Sequence, residues 1–381
     1  MRIAFYAPMK APGHPVPSGD LRVAGLLIAA LEAAGHAVEI ASTFRSYDGI
    51  GEPQQQSERR AAASAEAGRI TARLATRPAA ERPALWFTYH VYHKSPDWLG
   101  PAVAPALRLP YVIAEPSYAA KQAGGPWASG LAATRRAIEA ADALICPTRL
   151  DMAAVTPLSR PERVHYLPPF LAPAPFIAAR ADRAAARAEI VARHGLDPDR
   201  VWLLAVGMMR RRDKLESYRR LAAALAKLQV SSWRLLVVGD GEARAEIEAA
   251  FAPFGNKIVF AGARTPEQLP RIYAACDIYV WPAAGEAYGM ALLEAQAAGL
   301  PVVAGRVRGV PDVVQDRMTG LLANENDAAD FAAMLGPLVE DSALRYSFGA
   351  SAAQFVSDER TVAAAAAALD AILRPLVAVS P

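Results

Sequence analysis

Short runs of β-branched, aromatic and other apolar residues alternate along the chain with alanine-rich stretches whose apolar positions recur every three to four residues. In the first half the strand-like runs are RIAFYAP, AVEIAS, ALWFTYH, YVIAEP, ALICPT and VHYLPP. Between the first two lies DLRVAGLLIAALEAAGH, a helix expected to be capped by Asp20 and stopped by Gly35. The second half repeats the alternation with VWLLAVGM, WRLLVVGDG, KIVFAGA, DIYVWPA and LPVVAG. Strand and helix in regular alternation predict an α/β protein built on parallel sheets. In such sheets ligands sit beyond the carboxyl ends of the strands, so the residues just after each strand are where chemistry is sought.

Two stretches interrupt this rhythm. Residues 53–82 are polar and rich in Ala, Arg and Gln, which predicts a solvent-facing helix with flexible ends and no chemistry. PPFLAPAPF, starting at Pro168, carries four prolines in nine residues and precedes the charged helix ADRAAARAEIVARHG, so a hinge and the entry to a second domain are expected there. A length of 381 residues with 53% hydrophobic content fits two domains, each with its own core.

Composition narrows the class further. The two cysteines, Cys146 and Cys276, sit in apolar runs, the pattern of buried reduced thiols in a cytosolic protein. MRIAFYAP enters a strand at once, without the leader pattern of an exported protein, and no apolar segment reaches the ~18 residues of a membrane span. Residues 1–180 hold 19 Lys+Arg against 14 Asp+Glu and the remainder 22 against 24, so the net charge of +3 divides into +5 and −2. That imbalance is too mild for nucleic-acid binding, and it leaves peripheral membrane association through the more basic half open.

The chemistry concentrates in IYVWPAAGEAYGMALLEAQAAG, a strand, a turn, and a helix beginning near Tyr288 or Gly289 and stopping at Gly299. Glu286 precedes this helix and Glu294 lies within it. Unpaired amides at a helix start carry partial positive charge, so Ala287, Tyr288, Gly289 and Met290 form an anion seat, with Gly289 permitting close approach of a ligand. Carboxylates on either side accept paired hydrogen bonds from vicinal hydroxyls, a layout that suits a nucleotide sugar. Countercharge is available in the turn after VWLLAVG, where Arg210, Arg211, Arg212 and Lys214 precede a helix. GDG at 239–241 is too short to define a phosphate loop, and Asp197 with Asp199 is expected to shape a turn. No His/Cys cluster has metal-ligand spacing, so no metal is expected.

EAYGMALLEAQAAGLPVVAGRVRGVPDVVQDRMTGLL resembles the donor-site signature of the retaining glycosyltransferases of family 4, whose fold is GT-B. The resemblance rests on Glu286, Glu294, the glycine between them, Gly-x-Pro-Val-Val, Gly309, Pro311 and Thr319-Gly320. VVGDG, FAGARTPEQLPRIYAACDIYVWPA and the terminal helices extend it over nearly all of 200–375, while the first half matches mainly in architecture. It implies two Rossmann-like domains facing a central cleft: an acceptor-binding domain at 1–172, a donor-binding domain at 173–357, and a C-terminal helix within 358–381 that returns to the first domain.

The same resemblance implies roles. Glu286 would contact the sugar, Glu294 the ribose, and Lys214 with one of Arg210 to Arg212 the departing diphosphate. Backbone from Gly262 to Arg264 would meet the base, and Gly19 in VPSGD the donor from the first domain. Two departures stand out. Gly207-Met208-Met209 replaces the usual Gly-Arg-Leu, and Glu115-Pro116-Ser117 stands where many relatives carry a histidine, which makes His90, His93 and Glu115 candidates for the missing function. The implied activity is cytoplasmic, metal-independent transfer from a UDP- or GDP-linked sugar to an acceptor glycan, lipid or small molecule, with no further cofactor. A non-enzymatic sugar-nucleotide sensor or subunit is the alternative, followed by an epimerase or a glycoside hydrolase.

Overall fold

A computed structural model describes residues 1–15 and 18–378. The chain divides into two compact units, one formed by Met1–Pro168 with Val362–Pro381 and the other by Pro169–Thr361.

The first unit contains β1 (Arg2–Tyr6), β2 (Ala37–Ser42), β3 (Leu85–Val91), β4 (Tyr111–Pro116), β5 (Ala143–Cys146) and β6 (Val164–Tyr166). They form a parallel sheet in the order β2-β1-β3-β4-β5-β6. β1, β3 and β5 are buried along most of their length, as expected of strands covered on both faces. The helix Gly19–Ala33 follows β1. Ser18, with extended backbone, caps it by accepting the Leu21 N–H, so the N-cap expected at Asp20 falls two residues earlier and the Asp20 carboxylate is available elsewhere. Gly35, at φ +80°, follows the helix end as expected. The helix Val362–Ala378 belongs to this unit and packs along Gly19–Ala33, where His36 Nε2 lies 3.1 Å from Asp370 Oδ1.

The polar stretch after residue 53 is less solvent-facing than its composition suggests. Pro53–Ala75 is helical, and Ala63, Ala67, Ile70 and Leu74 are core residues on one face. Spacings of four, three and four residues place these small and aliphatic side chains in one stripe, which the surrounding arginines and glutamines mask in the sequence.

The second unit contains β7 (Val201–Val206), β8 (Trp233–Val238), β9 (Ile258–Gly262), β10 (Ile278–Trp281), β11 (Val302–Gly305) and β12 (Gly320–Ala323). Its parallel sheet runs β12-β11-β10-β7-β8-β9, the doubly wound order in which the chain starts mid-sheet, works outward, and returns to build the other half. β12, four residues of Gly, Leu and Ala with no β-branched side chain, is a strand that the apolar pattern did not announce.

The turns after β7 and β8 interlock through their backbones. Gly207 N–H donates to Val238 O, Met209 N–H to Asp240 O, and Ala243 N–H back to Met209 O. A Cβ at Gly239 would stand 1.9 Å from Gly207 O, so GDG is glycine-rich because two backbones touch there. Asp197 likewise serves its own turn, accepting Asp199 N–H at 3.0 Å and Arg200 Nε–H at 3.1 Å.

Under the first sheet lies a fully buried carboxylate. Asp97 accepts from Thr88 Oγ1 at 2.6 Å, Tyr111 OH at 2.7 Å, Leu99 N at 2.8 Å and Gly100 N at 2.9 Å, while Trp86 Nε1–H donates to Thr88 Oγ1. Burial pushes its pKa up, and these four donors counter only part of that shift. Asp97→Ala would leave four buried donors without their acceptor. The expected result is a loss of about 3 kcal/mol or more from the unfolding free energy of this unit, read by urea denaturation.

Candidate functional site

In a doubly wound sheet the strand order reverses at one point, and the loops on either side diverge to leave a crevice above the carboxyl ends. In the second unit that point lies between β7 and β10, which pair through Ile278↔Leu203 and Tyr279↔Leu204. The turn after β7 leads through Arg210–Arg212 into the helix Asp213–Lys227, and the turn after β10 carries Glu286. Across the reversal Lys214 Nζ donates to Glu286 Oε2 at 2.6 Å. Trp281 Nε1–H donates to the same oxygen at 3.1 Å, and the Lys214 ammonium lies 5.2 Å from the Trp281 ring centroid. Trp281, 2% exposed, stacks edge-on against Tyr218 at 5.1 Å, and Tyr218 OH donates to Gly207 O at 2.8 Å. The helix after β7 and the last residue of β10 thereby hold one carboxylate oxygen.

The turn itself is tightly specified. Ala283 and Gly285 both adopt left-handed φ, at +61° and +62°, and Glu286 N–H closes onto Ala283 O at 3.0 Å. A Cβ at Gly285 would lie 2.6 Å from the Asp213 carboxylate, so the turn packs directly on the first residue of the neighbouring helix. The next helix runs from Met290 to Ala297, with Gly289 at its N-cap in left-handed conformation, φ +81°. Leu292 N–H closes onto Gly289 O at 3.0 Å, and by helix geometry the amides before it have no intrahelical acceptor, which makes this end electropositive. Ala287 is exposed, Glu286 partly exposed, and Tyr288 and Gly289 buried.

Glu294 is only 2% exposed, so a solvated helix face does not account for it. Its charge, with that of Glu286, reaches Tyr279. Burial raises the Tyr279 phenol first, and Tyr218, Glu286 and Glu294 raise it further.

The arginines are distributed differently. Arg210, Arg211 and Arg212 are exposed. Arg211 reaches Glu246 at 3.6 Å, and Arg212, at φ +66°, occupies the N-cap position of a helix whose first turn carries Asp213 and Glu216. Of the four cations, Lys214 is the one joined to Glu286. Gly262 closes β9 and accepts Gly239 N–H, whereas Arg264 donates to Ala263 O and lies 3.4 Å from His194.

The first unit holds a second polar constellation at its own reversal, between β1 and β3. His90 and Glu115 occupy the ends of β3 and β4, facing each other between the register pairs Tyr89↔Ala114 and Val91↔Pro116. Both are non-glycine residues in left-handed backbone, φ +62° and +57°, a conformation that costs roughly 1–3 kcal/mol each and clusters at functional sites. His90 Nε2 lies 3.8 Å from Glu115 Oε1. Asp20, which the sequence reading assigned to helix capping, stands 2.9 Å from His90 Nδ1. Burial favours the neutral imidazole, but Glu115 and Asp20 outweigh it and hold His90 above its ordinary pKa. Burial would likewise raise Asp20, and the His90 hydrogen bond and charge instead hold it below the usual carboxylate value. His93 packs edge-on against Tyr92 and Trp127, and burial with Lys94 lowers its pKa. Gly19 opens the helix carrying Asp20, while Val16 and Pro17 of VPSGD lie outside the described residues.

The comparisons with known proteins bear on the same elements. Residues 200–341 match the family described as Glycosyl transferases group 1. The matched residues lie within the second unit, and the match is consistent with the family 4 resemblance. A sulfoquinovosyl transferase of Arabidopsis thaliana is 33% identical over 159 residues, covering 41% of this chain and 30% of the relative. A D-inositol 3-phosphate glycosyltransferase of Salinispora tropica is 33% identical over 197 residues, covering 49% of this chain and 40% of the relative. Each match spans less than half of the relative's length.

Among solved structures, a sucrose-phosphate synthase from Thermosynechococcus elongatus superposes with a TM-score of 0.75 at 23% identity, over 100% of both chains. Anabaena HepE in complex with UDP gives a TM-score of 0.75 at 16% identity, over 98% of this chain and 100% of the other. The architecture is GT-B, two parallel-sheet domains in one chain. Among the described residues no helix is long and apolar enough to cross a membrane.

Two residues of these constellations escaped the sequence reading. Asp20 is 70 positions from His90 and reads equally well as a cap, and Trp281 reads as a core strand residue. Gly285→Ala is expected to destabilise the second unit by roughly 1–3 kcal/mol, because the new Cβ meets both an unfavourable φ and the Asp213 carboxylate. Urea unfolding measures that loss.

Proposed function

We propose that this protein is a retaining glycosyltransferase that moves a sugar from a nucleoside-diphosphate donor to an acceptor hydroxyl without a metal ion. The observation that carries this reading is the pairing of Lys214 with Glu286 at the strand-order reversal, beside an electropositive helix start and a buried Glu294. Solved structures of the same fold are described in complex with UDP and with UDP-glucose, which supports a nucleotide-sugar donor.

In this reading the diphosphate rests against the amides at Ala287–Met290. Lys214, held partly buried by Glu286 and Trp281, supplies positive charge that needs no reorganisation as the leaving group gains negative charge. One of Arg210 to Arg212 adds a second cation from the exposed turn. Glu286 receives the sugar hydroxyls and Glu294 the ribose diol. The departing phosphate oxygen accepts the proton of the attacking hydroxyl on the same face of the sugar, which retains the anomeric configuration. The first unit supplies the acceptor, a glycan, lipid or small molecule, and the reaction takes place in the cytoplasm or at the inner face of its membrane.

The test has two parts. A thermal-shift panel of UDP, GDP, ADP and their sugars should give one nucleotide series that raises the midpoint, since a ligand of the folded state stabilises it. With that donor, Lys214→Ala should lower turnover at least tenfold, equivalent to about 1.4 kcal/mol of transition-state stabilisation or more. Tight nucleotide binding without turnover across a broad acceptor panel would instead favour a sensor, and near-normal turnover of the variant would remove Lys214 from the site.

A further inference from the structure

The polar group at the reversal of the first sheet carries more than the donor-site reading uses. Three elements bring it together: the start of the helix Gly19–Ala33, the end of β3 and the end of β4. Two of the three residues accept left-handed backbone to be there, at matched positions of neighbouring strands. The imidazole is held from several sides. Tyr92 stacks on it at 5.0 Å, the Tyr89 ring lies 5.7 Å away, and Asp20 Oδ1 takes Nδ1 at 2.9 Å.

The remaining nitrogen, Nε2, lies 3.8 Å from Glu115 Oε1, too far for a direct hydrogen bond. An oxygen at about 2.8 Å from each atom fits at the apex between them. That oxygen must accept from Nε2–H and donate to a carboxylate, and a hydroxyl does both at one atom. A phosphate or carboxylate ligand would face Asp20 and Glu115, and an ammonium has no lone pair for Nε2–H. We propose that Asp20, His90 and Glu115 form a hydroxyl clamp. Asp20 accepts the Nδ1 proton and positions the ring, Nε2–H donates to a neutral substrate hydroxyl, and that hydroxyl donates to Glu115.

Asp20 is thus a positioning residue acting through His90, and the charged groups around the ring fit this role. Asp20 and Glu115 flank it, Asp151 adds a weaker negative charge, and Lys10 acts on Asp20 from the other side. The clamp rests on the transferase reading only for the owner of the hydroxyl, which that reading makes the acceptor.

The experiment uses the full chain with 15N-labelled histidine and no nucleotide, so it is independent of the donor site. His90→Gln assigns the His90 signals. In the native protein His90 should titrate above an ordinary histidine, with both ring nitrogens protonated below its midpoint. Asp20→Asn keeps an acceptor for Nδ1–H but removes the charge, and should move the His90 titration to lower pH. Glu115→Gln should shift it in the same direction.

Glycerol, a polyol small enough to enter without other contacts, should move the Nε2 resonance saturably, at least tenfold more weakly in Asp20→Asn. Acetate should leave it in place. An unaltered titration in Asp20→Asn, or an Nε2 signal indifferent to glycerol, would overturn the clamp. If Asp20→Asn does not fold, the native titration decides, because a His90 midpoint at or below that of an ordinary histidine would overturn the clamp. Asp20→Glu, which retains the carboxylate, should behave as the native protein does.

Discussion

Parallel strands cannot be joined end to end, so every connection in both sheets must cross a face, and the one place where the crossing direction changes leaves an opening above two adjacent strands. Each unit places its paired charged residues at that opening. In the second unit they come from the turns after β7 and β10, which deliver Lys214 and Glu286. In the first they come from the segment after β1 and the end of β3, which deliver Asp20 and His90. The chemistry of the molecule depends on this topological constraint before it depends on any single side chain.

Local packing turns those openings into defined geometry. Glu286 is fixed by two left-handed residues in its own turn, by Trp281 from the strand below, and by Lys214 across the gap. The interlocked backbones of the β7 and β8 turns leave little freedom to the base of the segment that carries the lysine. A partly buried cation already paired with a carboxylate is oriented in advance, and in the proposed reaction a diphosphate beside it would gain charge complementarity without having to order the lysine. In the first unit the ordering force is an imidazole between two carboxylates, where burial and charge oppose each other and charge prevails.

Much of this was legible along the chain because parallel strands write themselves as short runs rich in apolar and β-branched residues, and eleven of the twelve strands among the described residues did so. The exception, β12, consists of Gly, Leu, Leu and Ala and reads equally well as helix or turn. The carboxylates flanking the helix start were visible for the same reason that Glu294 is unusual, a charge inside an apolar segment. What the chain order concealed were relations between distant segments. Asp20 sits where a cap is ordinarily found, yet Ser18 does the capping and Asp20 turns to a histidine 70 positions away. Residues 53–75 looked solvated because arginine and glutamine outnumber the few small residues that reach the core. The cluster of cations at 210–214 read as one unit, whereas the structure joins only Lys214 to Glu286 and leaves the three arginines exposed.

The central claim is that a diphosphate binds at the strand-order reversal of the second sheet. Crystals of the full chain soaked with UDP and, separately, with GDP measure this directly. The account predicts phosphate density within hydrogen-bonding distance of the amides at Ala287–Met290 and of Lys214 Nζ, with the ribose diol on Glu294. A nucleotide bound elsewhere, with that helix start bare, would contradict it.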